Sequence, residues 1–422
     1  MRIIIIGAGP GGYETAVAAA KRGIEVTLIN KGPLGGTCLN AGCIPTKTFI
    51  ACKSLEEARA RKTEVLETLR SGIATLLSDK LITLVEGTAR FVSDHTVDVD
   101  GVQYSADKII IATGSVPAFL PVEGAGNEGV LDSTAVLDLD EVPQRLCIIG
   151  GGVIGLEFAS IFSAFGSEVT VLEYAKNILP RFDTDLAKRL KQSLSKKGIK
   201  IENSAQVTSI DKDLTVHYLK NEQEFTVPAD NVLMAVGRKA SFESLNPEAA
   251  GIVCDRRGIC VDENMQTNVP GVYAIGDVNG RMMLAHVATF QGRRALNHIC
   301  GQTDKIRFDI VPSAVFTDPE AACVGMTEEE AKEKGLNFRC LKSFYRANGK
   351  AVASGTTDGY CKLIVDCDSD KILGCHIFGA HASDIIQEAT VLLNFESTLS
   401  DFENIIHAHP SLPELLQTAA YS

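Results

Sequence analysis

The sequence predicts an α/β protein that contains two copies of one βαβ unit and ends in an α+β domain. First, an apolar strand at 3–6 runs into Gly7-Ala-Gly9-Pro-Gly-Gly12, and an Ala-rich helix and a second strand follow. Second, the same order of strand, glycine turn, helix and strand recurs at 146–173, around Gly150-Gly-Gly152-Val-Ile-Gly155. Third, no such turn occurs after residue 306, where strand-like runs at 360–365 and 372–378 precede a helical stretch at 382–394.

In both units the glycine turn has the context that dinucleotide binding requires. The first helix is expected at 13–22, with a second strand that ends at Asn30; the second helix is expected at 156–165, with a strand that ends at Glu173. The distance from first glycine to strand end is the same in both units (7 to 30 and 150 to 173). These glycines permit a tight turn, close approach of a pyrophosphate and close packing of helix on strand, and the helix N-terminus attracts the anion. Two units predict two bound dinucleotides, between which electrons pass.

Composition restricts the class of protein. The chain has 422 residues, of which 45% are hydrophobic and 22% charged, an ordinary globular balance. The net charge of −12 argues against a nucleic-acid partner, because such binding depends on Lys and Arg. No apolar run approaches the roughly 20 residues that span a bilayer, and no signal-peptide cleavage site follows the first strand. We therefore expect a cytoplasmic protein without a membrane partner, whose twelve cysteines are mostly reduced.

Further strands suggest where the domains end. Apolar strands beginning at Lys108 and Asn231 end in Gly114 and Gly237, and both read as exits from a Rossmann-like domain. A third apolar strand, from Gly271, ends in Gly276-Asp277. We predict four domains, at residues 1–115, 116–239, 240–306 and 307–422.

Cys38 and Cys43 directly follow the first unit. On an ideal helix, Cα atoms five residues apart are separated by roughly 8–9 Å, whereas a disulfide requires about 4.4–6.8 Å. Bridging the two therefore needs a distorted turn, which Gly42 and Pro45 permit. A strained bridge is easily reduced, which suits catalysis. Two unrelated buried thiols remain the alternative, and a zinc pair would have unusual spacing.

At this point the sequence resembles the flavin-dependent pyridine nucleotide–disulfide oxidoreductases, and most closely those that oxidise protein-bound dihydrolipoyl groups. The stretch 35–47 is similar to the redox-disulfide signature of that family. Further signatures are matched by 150–157, by Gly276-Asp277, by 284–286 and by His407-Ala-His409-Pro. The matches extend over nearly the whole chain.

The resemblance implies a homodimer whose subunit has an FAD domain, an NAD domain, a central domain that completes the flavin site and a C-terminal dimerisation domain. It implies no metal. The residues expected to bind the two cofactors are Gly7, Gly9, Gly12, Asn30, Lys31, Gly36, Thr37, Lys47, Gly87, Ala89, Thr113, Gly114, Asp277, Met283, Leu284, Ala285, His286, Gly150, Gly152, Gly155, Glu173, Val207 and Gly237.

The resemblance also implies catalytic roles. Cys43 would lie against the flavin as a thiolate, and Cys38 would exchange with the substrate. Lys47 would lie near flavin N5, paired with Glu157. His409, held by Glu414, would be the acid and base, acting from the other subunit. Two alternatives stay open here, because 411–414 also reads as an S-x-x-E capping box and the two histidines could form half of a metal site.

Glu173 favours NAD over NADP, since a carboxylate at that strand end binds a ribose 2′-hydroxyl and repels a 2′-phosphate. Three departures from the family pattern are Asn30 in place of a Glu, Gln291 in place of a Glu, and a shortened segment after Cys43.

The expected activity is oxidation of dihydrolipoyl groups with reduction of NAD⁺, and the expected partner is a lipoyl-bearing protein of a 2-oxo acid dehydrogenase or glycine-cleavage complex. The alternatives are an NADH-dependent flavoprotein that reduces another disulfide, and a flavin-binding subunit or redox sensor without turnover.

Overall fold

The computed structural model describes residues 1–422, which form two compact units. Unit 1 comprises Met1–Ala118, Ser133–Asp138 and Gly237–Ile306, and unit 2 comprises Phe119–Asp132, Leu139–Val236 and Arg307–Ser422. Unit 1 therefore combines most of the first and third predicted domains, and unit 2 most of the second and fourth. The division of each unit into two domains stays a prediction.

The chain forms 23 strands. In chain order they are β1 Arg2–Ile6, β2 Glu25–Asn30, β3 Ile82–Glu86, β4 Ala89–Ser93, β5 Thr96–Val99, β6 Val102–Ser105, β7 Lys108–Ile111, β8 Ser115–Pro117, β9 Val130–Leu131, β10 Arg145–Ile149, β11 Glu168–Glu173, β12 Lys200–Asn203, β13 Gln206–Ile210, β14 Val216–Lys220, β15 Gln223–Val227, β16 Asn231–Met234, β17 Arg238–Ala240, β18 Val272–Ala274, β19 Ser313–Val315, β20 Ala321–Gly325, β21 Phe338–Phe344, β22 Tyr360–Asp366 and β23 Ile372–Phe378.

The chain also forms twelve α-helices. They are α1 Pro10–Ala20, α2 Gly36–Ala41, α3 Cys43–Ile50, α4 Leu55–Leu76, α5 Val153–Ala164, α6 Thr184–Lys196, α7 Ala285–Ile299, α8 Glu328–Glu333, α9 Gly349–Ala353, α10 Ala382–Asn394, α11 Leu399–Glu403 and α12 Glu414–Ala420. None of them is both long enough and apolar enough to cross a membrane.

Unit 1 is built on a parallel sheet of five strands in the order β18-β7-β1-β2-β3. Ile3 to Ile6 of β1 are all buried, because β1 lies near the centre of the sheet and is paired on both edges. A continuous apolar run is typical of a parallel strand that is covered on both faces. The first predicted βαβ unit is thus confirmed. A three-stranded antiparallel sheet, β4-β5-β6, completes the hydrophobic core on one side.

Unit 2 contains the second parallel sheet, in the order β12-β11-β10-β16-β9, which confirms the repeat. It also contains the predicted α+β part, an antiparallel sheet in the order β19-β20-β23-β22-β21. Helices α10 and α12 pack on this sheet, and their apolar residues share its core.

Both predicted Rossmann helices begin earlier than the sequence suggested. Helix α1 starts at Pro10 rather than Tyr13, and α5 starts at Val153 rather than Leu156. The physical reason is that the last glycine of each turn adopts helical geometry and belongs to the first helical turn. Proline at the first position of α1 favours this start, because its missing N–H would have no partner there.

A buried ion pair connects two elements of unit 2. Lys362 of β22 lies 2.6 Å from the carboxylate of Asp183, the N-cap of α6, and both side chains are fully buried. Burial by itself would lower the pKa of Lys362, but the hydrogen bond and the charge of Asp183 outweigh it and raise that pKa. The pair therefore remains ionised and ties β22 to the start of α6.

We expect Lys362→Met to lower the free energy of unfolding of unit 2 by about 3–5 kcal/mol, because it leaves a buried carboxylate uncompensated. Lys371→Met is the matched control: Lys371 lies 2.7 Å from Glu396, but both side chains are about half exposed, so its loss should cost no more than about 1 kcal/mol. Urea unfolding followed by circular dichroism measures both. Equal effects of the two substitutions would contradict this account.

Candidate active site

The glycine turn of unit 1 leaves no room for side chains. Gly7 has φ +107°, and a Cβ there would lie 2.3 Å from the Ala112 carbonyl oxygen. A Cβ on Gly12 would lie 1.8 Å from the Gly7 carbonyl oxygen. Gly9 caps α1 without any side-chain hydrogen bond, so the first amides of that helix keep their capacity to bind an anion. The turn fits the pyrophosphate of a dinucleotide.

The turn of unit 2 repeats this geometry closely. Gly150 has φ +114°, and a Cβ on Gly155 would lie 2.0 Å from the Gly150 carbonyl oxygen. A Cβ on Gly152 would meet no atom within 4 Å, and Gly152 caps α5 without a side-chain hydrogen bond. The second of the three fingerprint glycines thus faces open space, where a pyrophosphate can approach the backbone.

Two more helix N-termini meet the first turn in unit 1. A Cβ on Gly36, at the start of α2, would lie 2.6 Å from the Gly9 Cα. Helix α7 packs against α1 so closely that a Cβ on Gly11 would lie 3.1 Å from the Ala288 Cβ. Leu284 caps α7. The structure therefore places Gly36 against the turn and packs α7, which begins within the stretch 283–286, on α1; the cofactor roles of Thr37 and of 283–286 stay predictions.

Asp277 follows β18 in a small polar cluster. Its carboxylate accepts a hydrogen bond from the Ser115 hydroxyl at 2.5 Å and lies 4.0 Å from Nε of Arg238. Arg238 also donates to the Ser115 hydroxyl at 2.7 Å. Ser115 and Arg238 were not predicted as site residues, because nothing local marks them; only the pairing of β8 with β17 brings them together.

Gln291, the unexplained departure from the family pattern, has a structural role. Its side chain is buried, and its oxygen accepts hydrogen bonds from the Gly276 amide at 2.7 Å and from the Asn279 side chain at 2.9 Å. Gln291 thus holds the Gly-Asp turn against α7. An amide performs this role without placing a charge in the core.

Asn30 lies buried at the end of β2 and bonds within the protein. Its side-chain oxygen accepts from the Ala8 amide at 3.0 Å, and its side-chain nitrogen donates to the Gly32 carbonyl at 2.6 Å. The Gly87 amide donates to the Asn30 carbonyl at 3.1 Å. The side-chain oxygen of Asn30 has two lone pairs and uses one of them for the Ala8 amide. The other can accept a hydrogen bond from a ribose hydroxyl.

The remaining residues predicted at the cofactors occupy varied positions. In unit 1, Lys31 is exposed beside Asn30, Ala89 is buried at the start of β4, and the Thr113 hydroxyl donates to the Ser241 carbonyl at 2.6 Å. Gly114 and Gly237 have φ +74° and +120°, as a tight strand exit requires. Val207 in unit 2 is buried in β13, so its side chain packs in the core.

The two cysteines flank a break between helices. Helix α2 ends at Ala41 and α3 begins at Cys43, with Gly42 between them at φ −145° and ψ −111°. The predicted distorted turn is confirmed. The Cys38 and Cys43 side chains are in hydrogen-bonding contact. This hydrogen bond, burial and the charge of Cys43 raise the pKa of Cys38, and the charge of Lys47 opposes that rise. The pair is close enough to act as a dithiol.

The surroundings of the pair suit a thiolate. Cys43 is the first residue of α3, where the amides and dipole of the helix stabilise negative charge. Lys47 lies one turn later on the same helix and supplies a positive charge. Tyr13 of α1 lies near Cys38. Its pKa is raised by burial, by the charge of Glu14 and, to a smaller extent, by Cys38. The cysteines are thus adjacent to the first glycine turn.

Glu173 ends β11 in unit 2 as Asn30 ends β2. Its carboxylate is buried and accepts hydrogen bonds from the Gly151 amide at 2.6 Å and the Ala175 amide at 2.7 Å. Glu157 is buried in α5 and accepts from the Phe316 amide at 3.0 Å. Lys47 and Glu157 belong to separate units, so their pairing stays a prediction.

His409 and Glu414 form a pair in unit 2. Nδ1 of His409 lies 2.9 Å from Glu414 Oε1, and the ring is 79% exposed. The hydrogen bond with His409, followed by that from the Ser411 amide at 2.6 Å, holds the pKa of Glu414 below its ordinary value. The Ser411 hydroxyl has no partner, so the capping box is only half formed. One Glu414 oxygen therefore holds His409, and the other accepts the capping hydrogen bond from the Ser411 amide.

Comparison with known proteins agrees with this arrangement. Residues 1–292 match the pyridine nucleotide-disulphide oxidoreductase family, and residues 311–420 match the dimerisation domain of the same family. Dihydrolipoyl dehydrogenase of Chlamydia muridarum is 38% identical, over 99% of this chain and 95% of that protein. The Bacillus subtilis enzyme of the same name is 36% identical, over 100% of this chain and 98% of that protein.

A solved structure is also similar over its full length. The HOCl-induced flavoprotein disulfide reductase RclA from Escherichia coli has a TM-score of 0.92 and 33% identity, covering 100% of this chain and 99% of that chain. The two parallel sheets, the adjacent cysteine pair and these likenesses lead to one conclusion. The chain belongs to the pyridine nucleotide-disulphide oxidoreductase family, and its close Cys38–Cys43 pair fits a redox-active centre.

Proposed function

We propose that the protein is an NAD-dependent dihydrolipoamide dehydrogenase that oxidises protein-bound dihydrolipoyl groups. The observation that carries this proposal is the contact between Cys38 and Cys43 across the helix break beside the first glycine turn. The relatives named dihydrolipoyl dehydrogenase, similar over essentially the whole chain, support the choice of a dithiol substrate. The partner would be the lipoyl-bearing protein of a 2-oxo acid dehydrogenase or glycine-cleavage complex, in the cytoplasm.

The residues of unit 1 would hold FAD. The first turn and the uncapped N-terminus of α1 would bind its pyrophosphate, Asn30 a ribose hydroxyl and Asp277 the ribityl chain. When bound, FAD supplies a two-electron acceptor between the dithiol and the nicotinamide.

The cysteines and His409 would carry the thiol chemistry. His409 removes a proton from one substrate thiol, and the resulting thiolate attacks Sγ of Cys38 in the Cys38–Cys43 disulfide. That bond breaks, Cys43 leaves as a thiolate, and a mixed disulfide joins substrate to Cys38. The second substrate thiol then displaces Cys38 from the mixed disulfide, and its proton passes to the Cys38 sulfur. The substrate leaves as a disulfide, and the protein keeps the Cys38 thiol, the Cys43 thiolate and a protonated His409. Glu414 fixes the tautomer of His409 and stabilises its protonated form.

The homodimer completes this scheme. The matched dimerisation domain supports pairing of two chains, and we propose that His409 serves the cysteine pair of the partner subunit. The exposed ring of His409 is consistent with a role at such an interface.

Glu173 is proposed to select NAD. Glu173→Ala should raise the Michaelis constant for NADH about ten-fold or more, because a hydrogen bond to a charged group contributes roughly 1.5–3 kcal/mol. Steady-state NADH–ferricyanide assays measure the effect. Glu168→Ala is the control, since Glu168 lies exposed at the opposite end of β11 and pairs with Lys200. Equal kcat/KM for NADPH and NADH in the parent protein would overturn the cofactor assignment.

A second candidate function is NADH-dependent reduction of a different disulfide. Similarity to RclA, a flavoprotein disulfide reductase, favours it. A flavin-binding subunit without turnover is a third possibility, which the intact Cys38, Cys43 and His409 disfavour.

Two measurements test the proposal. Steady-state oxidation of dihydrolipoamide with NAD⁺ should exceed that of other dithiols, and NADH-driven reduction of small disulfides should be slower than lipoamide reduction. A preference for another disulfide would select the second candidate.

Anaerobic titration with dithionite should produce a long-wavelength absorption band at the two-electron level, from a thiolate beside oxidised flavin. Absence of that band, with both thiols intact, would favour the subunit without turnover.

A further inference from the structure

The segment 404–413, which carries His409, has backbone–backbone hydrogen bonds only near its two ends. It connects α11 to α12 and contains no helix or strand. The backbone of such a segment is fixed only where neighbouring elements bond to it. The position of His409, the proposed base, therefore depends on the contacts that neighbouring side chains make with this segment.

His407 is bonded through both nitrogens of its ring. Its Nε2 lies 2.7 Å from Oε1 of Glu388 on α10, and its Nδ1 lies 3.1 Å from the Ile405 carbonyl oxygen. Both ring nitrogens are therefore occupied by contacts within the protein. The side chain is only 5% exposed. The buried ring thus pairs with the partly exposed carboxylate of Glu388.

Neighbouring helices complete the attachment. The His407 ring meets the Phe402 ring of α11 edge to face, with centroids 5.4 Å apart. Gln417 of α12 donates to the Ile405 carbonyl at 3.2 Å, the same oxygen that faces His407. His407 is therefore anchored to α10 and α11 and, through Ile405, to α12. Only Ala408 separates it from His409.

The two histidines of this motif differ in exposure. A residue that positions the backbone can be buried, whereas a base must be accessible to the substrate. Each bonds to a carboxylate, but His407 is buried with both nitrogens occupied, whereas His409 is exposed and its Nδ1 alone faces Glu414. A ring with both nitrogens occupied in the interior cannot take a proton from a substrate thiol. It can, however, determine where a neighbouring backbone lies.

We infer that the His407–Glu388 pair is a positioning device for the dithiol reaction, which fixes the backbone that presents His409. The inference rests on the proposed function, because it takes His409 to be the base. Displacing a catalytic group by about 1 Å can cost about 10²-fold in rate. His407 and Glu388 are thus positioning residues, and neither contacts the reacting sulfurs.

The test compares reactions with and without thiol chemistry. His407→Phe keeps a ring against Phe402 but removes both hydrogen bonds. It should lower kcat/KM for dihydrolipoamide about ten-fold or more, while NADH–ferricyanide reduction, which bypasses the cysteines, stays within about two-fold of the parent. Glu388→Gln retains an acceptor and should cost less. The double variant should be no worse than His407→Phe, because both changes break one interaction.

Two further variants make the outcome decisive. His217→Ala removes an exposed histidine that lies 2.8 Å from Asp211, and both activities should remain at parent level. His409→Gln is assayed in parallel. If it abolishes dithiol turnover while His407→Phe does not, only this inference is overturned; if His409→Gln keeps full turnover, the proposed base and this inference both fail. Equal loss of both activities in His407→Phe would also overturn it, since that result indicates general damage.

Discussion

Cys38→Ser is expected to reduce dihydrolipoamide oxidation by at least about 10³-fold, the scale of loss when a nucleophile that works with a base is removed. Serine is nearly isosteric, but its oxygen cannot form the mixed disulfide with substrate, so thiol exchange stops at its first step. Flavin reduction by NADH does not use this sulfur and should continue. The ratio of dihydrolipoamide to ferricyanide activity, measured on one preparation, separates the two reactions.

Cys367→Ser provides the control for this experiment. Cys367 is the cysteine with an exposed side chain and lies just after β22, so its replacement should leave both activities unchanged. Cys43→Ser should also stop dithiol turnover and should, in addition, remove the long-wavelength band in the dithionite titration, because Cys43 is the proposed thiolate beside the flavin. If Cys38→Ser retained lipoamide turnover, Cys38 would have no part in the mechanism.

His409→Gln is expected to lower kcat/KM for dihydrolipoamide by about 10²–10⁴-fold, the usual contribution of a general base. Glutamine can donate a hydrogen bond to Glu414 through its side-chain amide but cannot take up a proton. The loss should shrink at high pH, where substrate thiols ionise without help, so the deficit is measured as a pH profile. A parent-like profile would remove His409 from the role of base.

The lowered pKa of Glu414 keeps its carboxylate charged beside His409 over the pH range of the same profile. A carboxyl whose folded pKa lies below its ordinary value contributes stability at higher pH and loses it as pH falls through the folded pKa. The His409–Glu414 pair should therefore be complete at neutral pH and break only on strong acidification. Glu414→Gln keeps an acceptor for His409 but not the charge, so its effect should be smaller than that of His409→Gln.

The parallel sheets show how much local pattern can predict. The four buried isoleucines of β1, the glycine turn and the acidic or amide strand end all lie within one short stretch, and each reflects backbone sterics that act locally. The helix break at Gly42 is also a local feature. On one continuous helix the Cα atoms of Cys38 and Cys43 would be too far apart for a disulfide, so a bridge between them requires a break. The starts of α1 and α5 were placed too late, since the glycine turn was read as lying outside the helix.

Contacts between distant segments were not predictable in this way. Nothing near Gln291 indicates that its amide would meet Gly276, and nothing near Lys362 indicates the carboxylate of Asp183. The same is true of Glu388, which lies on a different helix from His407. The choice between capping and catalysis for Glu414 also depended on where its two oxygens point.

The two βαβ units, the terminal α+β domain and the cysteine pair could be predicted from the sequence, because glycine sterics, strand and helix periodicity and residue spacing act over a few residues. The polar groups that Asp277, Glu173, Glu414 and His407 contact became known only from the folded chain. Those partners lie on other strands, helices or turns, and a hydrogen bond between them depends on how the chain packs.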